Sequence, residues 1–308
     1  MTAEFTGNPF ANGSVSLTKG IKEGVLNGNV DDLEAKTLDS SPYTLQSPNR
    51  AQFVPADVFP DEHVIMVPDG FLIPGHKNGG VYLMIQDQEH THHTKKTVRI
   101  TKEKKDHWFH SGHWVDMNGD GLKDILIARS NGEKKGGVLL WLENPGETAL
   151  DGTEWEQHHI VDGPDVYTSI DFLPQYPGEV VVWASQFFDE KLGVYRVSLT
   201  DGELIDSKII DSDIGSAYAA DLVDLNGDGK KQLLANNWQK KHNGLWAYTV
   251  PDDIINGTYE KHTIAKDFKI SSDYNILEIA GPGYHYLYYP DINDQSGRAR
   301  ILLCGHGN

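Results

Sequence analysis

The chain has 308 residues, with 45 acidic against 27 basic side chains and a formal net charge of -18. With no basic stripe to replace counterions, neither nucleic acid nor an anionic membrane surface is expected as a partner. No apolar run reaches the ~18 residues a spanning helix needs, and the lone Cys304 excludes an internal disulfide.

Length alone would allow two domains, but all-β propellers and barrels of this size are routinely one, and a single domain over 1–308 is expected. In chain order, Gly24-Val25-Leu26-Asn27 and Leu33 to Leu38 read as strands. Ala56 to Phe59, Val64 to Val67 and Gly79 to Leu83 form the first repeat of a strand pattern, and the segment His90 to Lys96 reads as a solvated loop. The second repeat is the clearest. An apolar strand leads into Asp116-Met117-Asn118-Gly119-Asp120-Gly121-Leu122-Lys123-Asp124, then Ile125 to Ala128, Gly136 to Trp141, and Trp155 to Ile160. Ser169 to Phe172, Val180 to Trp183 and Leu192 to Tyr195 make a third copy. A fourth carries Asp224-Leu225-Asn226-Gly227-Asp228-Gly229-Lys230, then Leu233 to Ala235, Asn243 to Tyr248 and Tyr259 to Ile264. Tyr286 to Asp291 and Arg300 to Leu303 are the start of a fifth.

Repetition of a four-stranded unit predicts an all-β propeller of five blades, the last completed by strands from both chain ends so that no sheet edge stays open. Six blades is the alternative, because Ser271 to Gly281 is unassigned. Helix should be nearly absent, since no segment between strands shows helical periodicity.

The acidic loops have the spacing of a cation site. Alternate residues of a tight loop point inward, so Asp116, Asn118 and Asp120 can offer oxygens, the Leu122 carbonyl a fourth, and Asp124 can close the shell around Ca2+. In the second loop Asp224, Asn226, Asp228 and the Lys230 carbonyl repeat this, but Gln232 replaces the closing carboxylate and weaker binding is expected. One or two structural Ca2+ ions and no organic cofactor follow. The other reading of the same residues is an ion-free Asx turn.

The Asp-x-Asn-Gly-Asp-Gly loop entering a short apolar strand, followed by Gly-Gly-Val-x-x-Trp, resembles the FG-GAP/VCBS repeats of integrin-α-like propellers. In such a blade the acidic loops join the first and second strands on one face, and the connections into the first strand and out of the second lie on the opposite face. The latter supply Arg50, His76, His107, Trp108, His110, His113, Arg129, Tyr167, Gln186, Phe187, Tyr218, Trp238, His242, Tyr284, His285 and His306. His158, His159 and His262 fall on outer strands and read as structural. A zinc ion on His110 and His113 with a third ligand would need a bend at Gly112, because residues three apart on a strand face opposite ways.

No Gly-x-Ser-x-Gly elbow, phosphate loop, dinucleotide fingerprint or cysteine nucleophile is present. Imidazole for proton transfer, phenols and arginine for a developing oxyanion, and flat aromatic walls suit elimination of water beside a carbonyl or enol. The resemblance extends to two enzyme types, the aldos-2-ulose dehydratases acting on sugar derivatives and the fungal hetero-Diels–Alderases, which lose water to a quinone methide that adds to a terpene alkene. No catalytic residue of either type is matched one by one to this chain; for a cycloaddition of the second kind, Arg129 or Tyr218 would hold the diene oxygen and His110 or His285 would shuttle the proton. Arg50, His76, His113, Tyr167, Phe187, Trp238, His242, Tyr284 and His306 would then contact a small-molecule substrate. A non-catalytic lectin competes, but the loops differ from blade to blade, which favours one asymmetric pocket. The N-terminus lacks a basic-then-apolar signal segment. The sequons Asn12-Gly13-Ser14 and Asn256-Gly257-Thr258 fit a secreted glycoprotein, while the compartment itself stays open.

Overall fold

The structure is a computed structural model that describes residues 2–4, 12–70, 78–87, 89, 93–102, 106–239, 241–269, 281–288 and 299–305. Two compact units divide the chain, 1–132 with 140–158 and 133–139 with 159–308.

The first unit opens with a three-stranded antiparallel sheet, β1 (Thr2–Glu4), β2 (Ser14–Thr18) and β3 (Ala35–Thr37), in that order. The expected strand at Gly24 to Asn27 is instead part of a short helix, α1 (Ile21–Asn27). Gly20 and Gly28 bracket it in left-handed conformations, with φ of 67° and 72°, which glycine adopts without steric cost. Leu33 packs onto the helix at Gly24, where an added Cβ would approach its side chain to 3.0 Å.

A four-stranded antiparallel meander follows, of β4 (Gln52–Phe53), β5 (His63–Pro68), β6 (Val81–Gln86) and β7 (Thr94–Arg99). Its first strand precedes the predicted position. Residues 56–59 form turns, because Pro55 and Pro60 lack the N–H a ladder needs and Val58 N–H bonds back to the Pro55 carbonyl. Thr94 to Lys96, expected in a loop, begins the outer strand β7, where Lys95 and Lys96 face solvent; charge on an outer strand discourages further pairing. Strand β2 contributes Val15 and Leu17 to a core with Leu38, Leu45, Ile65, Val67, Tyr82 and Met84. The next meander comprises β8 (Trp108–Val115), β9 (Asp124–Ser130), β10 (Val138–Glu143) and β11 (Glu156–Asp162).

In the second unit two more meanders are formed, one by β12 (Thr168–Asp171), β13 (Glu179–Gln186), β14 (Lys191–Ser198) and β15 (Leu204–Asp211), the other by β16 (Ala217–Val223), β17 (Gln232–Asn237), β18 (Gly244–Thr249) and β19 (Glu260–Lys266). Val181, Trp183, Leu192 and Val194 of the former share a core with Ala217, Ala220, Leu233, Ala235 and Tyr248 of the latter. At ~1.5–3 kcal/mol for each large apolar side chain taken from water, this packing dominates the unit's stability. A final pair, β20 (Pro282–Tyr288) and β21 (Arg300–Gly305), completes the described elements.

The chain is therefore all-β, built on the repeated four-stranded meander of a propeller blade. Both acidic loops connect first to second strands, β8 to β9 and β16 to β17. The expected shared blade is not formed by hydrogen bonds among the described residues: β2 already has β1 on one side and β3 on the other, and β20 pairs with β21 alone. Residues 270–280, where a sixth blade was sought, lie outside the described residues. Among those described, no helix is long and apolar enough to cross a membrane.

Candidate active site

Irregularities in first strands aim the side chains of interest. Ala217 pairs with Asn237 and Ala219 with Asn236, so Tyr218 is an extra residue in β16. In β20 the pairing steps from Pro282–Gly305 to His285–Leu303, inserting one extra residue just before His285. A bulge turns a side chain away from the alternating pleat, and such features concentrate next to active sites. Here the two bulges bring predicted residues together. The Tyr167 ring centroid lies 5.0 Å from that of Tyr218 and 5.1 Å from that of Tyr284. Trp238 stacks at 6.3 Å on Tyr218 and lies 5.7 Å from Phe187. Phe187, Tyr218, Trp238 and Tyr284 are half-buried, and Tyr167 is buried.

The loop bearing Phe187 is held by Asp165, whose two carboxylate oxygens accept the N–H groups of Phe187 and Phe188 at 2.7 and 2.8 Å. Burial pushes the Asp165 carboxyl up to about 7 despite these bonds, and Asp189 pushes in the same direction.

Beside the aromatic group, His285 is only 2% exposed. Its Nδ1 lies 3.0 Å from Asn236 Oδ1, and the Asn236 amide nitrogen donates to the carbonyls of Pro282 and Gly283. Those two carbonyls settle the amide's orientation, so Oδ1 must accept and Nδ1 must carry a hydrogen. Asp221 Oδ2 approaches the other ring nitrogen, Nε2, to 3.0 Å, off the N–H direction, so this is a charge contact and not an aligned hydrogen bond. Asp221 also accepts the Tyr284 hydroxyl at 3.1 Å, and its side chain is 24% exposed. The buried imidazole thus reaches the surface through Asp221. Neither Asp221 nor Asn236 was singled out in the sequence, although the Asn236-Asn237 pair ending an apolar strand was a visible signal.

The remaining predicted residues lie elsewhere. In the first unit the pairing of β8 with β9 slips between Phe109 and Gly112, adding one residue at the predicted bend. His110 is fully buried, and burial together with the nearby Arg50 charge pushes its imidazole well below the ordinary range, so it stays neutral. His113 is half-buried, and His110 and His113 are not part of any three-donor metal cluster among the described residues. Arg129 donates to Gln157 Oε1 at 3.2 Å and lines a cavity of about 580 Å³ with Lys102, Phe109 and Trp155. His242 sits on an exposed turn of the second unit with φ of 56°, its carbonyl accepting from Asn237. His76 and His306 lie outside the described residues.

Both acidic loops are internally bonded. Asp116 accepts the N–H groups of Gly119 and Gly121, Asn118 Oδ1 that of Asp120, and Asp120 that of Leu122. Asp224 accepts from Gly227 and Gly229, Asp228 from Lys230, and Asn226 donates to Asp228. Gln232, at the closing position, accepts the Leu225 N–H. Asp124 is fully buried, with one oxygen on the Met117 N–H and the other on the Asn144 N–H; burial pushes it up to about 6. The donor set fits a hard cation in part. Asp116, Asn118 and Asp120 keep lone pairs at the exposed loop, whereas Asp124 faces inward onto the backbone.

No protein-family model matches the chain, and no curated protein does. Among solved structures it is similar to a luciferin-regenerating enzyme (7% identity, 88% of this chain and 80% of that one, TM-score 0.47). It is also similar to the Dos1 propeller (11%, 69% and 49%, 0.42) and to a leech intramolecular trans-sialidase complexed with 2,7-anhydro-Neu5Ac (11%, 92% and 39%, 0.41). The chain spans 49% and 39% of the latter two. At identities and scores this low, none transfers an activity or a ligand to it.

Proposed function

We propose that this chain is a propeller enzyme of the FG-GAP/VCBS type that acts on a small molecule at the aromatic site of its second unit, as a cofactor-free lyase or cyclase of the hetero-Diels–Alderase kind. The observation that carries this reading is the convergence of Asp221, His285 and Tyr284 beside Tyr167, Phe187, Tyr218 and Trp238. A carboxylate 3.0 Å from a ring nitrogen of a buried imidazole can serve as an acid–base pair, and the rings beside it supply flat apolar walls.

For a substrate bearing a phenol next to a benzylic alcohol, the pair would take the phenolic proton as the benzylic C–O bond breaks. The departing hydroxyl would receive a proton from the Tyr284–Asp221 hydrogen bond and leave as water. The product is a neutral quinone methide and the enzyme's proton count is unchanged. Closure onto an alkene then needs no further proton transfer; the aromatic walls hold the partners in attack geometry. Asn236 acts as a positioning residue that fixes which imidazole nitrogen faces Asp221.

The test uses ortho-hydroxybenzyl alcohol with an electron-rich alkene as trap, the adduct being followed by liquid chromatography and mass spectrometry. Wild-type protein should form adduct faster than buffer, and Asp221→Asn should lower the rate about 100-fold, while quenching of tryptophan fluorescence by the probe persists. Adduct formation at the buffer rate, or an unaffected Asp221→Asn variant, would remove the assignment; specific hits on a glycan array together with no elimination would make the site a lectin's.

A further inference from the structure

A second constellation lies in the first unit, around His158, an outer-strand residue that reads as structural in the sequence. Glu143 ends β10, and Glu156 and His158 are two apart on β11, so both project from the same face of that strand. One ligand atom from each of the three lies within 4.8 Å of the others. His158 Nε2 is 2.7 Å from Glu143 Oε2. The imidazole is not free to turn away, because it stacks on Trp141 with ring centroids 4.0 Å apart and planes 14° from parallel.

Charge makes the cluster unusual. No lysine or arginine forms an ion pair with Glu143 or Glu156 among the described residues. Two carboxylates thus share a small volume with one imidazole. Like charges on adjacent strands are destabilising, and a divalent cation would relieve that while using every donor. Ligand distances of ~2.0–2.1 Å to zinc place tetrahedral donor atoms roughly 3.3 Å apart. The observed separations, from 2.7 Å upward to the 4.8 Å bound, straddle that value, so side-chain adjustment alone suffices.

We propose that Glu143, Glu156 and His158 form a binding site for a first-row divalent transition cation such as Zn2+, Mn2+ or Co2+, with its remaining positions open to water. The imidazole distinguishes this from a Ca2+ or Mg2+ site, since those hard cations take oxygen ligands. Coordination through Nε2 would replace the contact this nitrogen makes with Glu143. The site is distinct from the acidic loop, although Asn118 of that loop lies within 3.4 Å of Glu143 through its amide nitrogen.

The test is Co2+ titration of the full chain, stripped of metal and then kept in excess Ca2+ so that the acidic loops cannot compete. Wild-type protein should develop visible d–d bands of a nitrogen-containing coordination sphere, saturating at one Co2+ per chain, and Zn2+ should abolish them. Glu156→Gln, which touches no stacked ring, should weaken binding about 100-fold, in line with the loss of a metal-site group. His158→Gln should eliminate the bands, and its melting curve reports whether the Trp141 stack was needed for folding. Asp120→Ala should leave the bands as they are. No d–d bands in wild-type protein, or bands unaltered in Glu156→Gln, would show that the cluster is only a histidine–glutamate ion pair and overturn the proposal.

Discussion

Replacing Asp165 by asparagine should flatten the pH dependence of stability in the second unit. The wild-type carboxyl is pushed up to about 7 by burial, against the two amides that it accepts and with help from Asp189. In an unfolded chain it would titrate near ~3.9. A folded value above the unfolded one means that the native state holds the proton more tightly. The group's stabilisation is therefore fully present below about pH 4 and is lost as pH rises through about 7. Between pH 8 and pH 5 the native state passes through about two pH units of extra proton binding, each worth ~1.4 kcal/mol, so wild-type protein should gain about 2.7 kcal/mol from this residue alone. Asparagine cannot titrate. It keeps one oxygen for an amide of Phe187 or Phe188 and turns its own N–H groups toward the other, a roughly constant cost of ~1–3 kcal/mol. Urea unfolding of both proteins at pH 5 and pH 8 isolates the effect, because every other titrating group cancels in the difference between them. A wild-type-minus-variant difference that shifts by less than ~0.5 kcal/mol between the two pH values would refute a strained, buried Asp165.

Three further outcomes follow from the same structure. Asp124→Ala strands the buried N–H groups of Met117 and Asn144 and should cost roughly 2–5 kcal/mol; an unchanged urea midpoint would mean that these amides find water. Gly112→Ala brings a Cβ to 2.8 Å from Ile125 Cγ2 and 3.0 Å from Met66 Cε, so overpacking should destabilise the first unit by ~1–3 kcal/mol, measured by thermal melting. If the loop of Asp116, Asn118 and Asp120 holds Ca2+, adding the ion at 100 times its dissociation constant should stabilise the protein by ~2.7 kcal/mol, and Asp120→Ala should erase that gain; identical calcium responses in the two proteins would leave the loop as an ion-free Asx turn.

Much of the architecture was legible in the sequence because a strand has a short period and its breaks are chemically loud. Repeated apolar runs located most strands of the four meanders, and the Asx-Gly loops located the join between first and second strands in two of them. Strand content misled where local chemistry was ambiguous: Gly24 to Asn27 is apolar enough for a strand, but flanking glycines and the packing of Leu33 wind it into a helix. Of the candidate site, Tyr167, Phe187, Tyr218, Trp238, Tyr284 and His285 were visible as aromatic or imidazole side chains near strand ends. Which of the predicted pocket residues meet was not, since that depends on bulges that shift register by one residue, and register is a property of paired strands. The roles of Asp221 and Asn236 likewise exist only in three dimensions, where strands distant in sequence place a carboxylate and an amide on opposite nitrogens of one imidazole. The chain order of residues determined what this protein is built from; tertiary packing decided which of its polar groups meet, because only paired strands set the register that brings Asp221 and Asn236 to one imidazole.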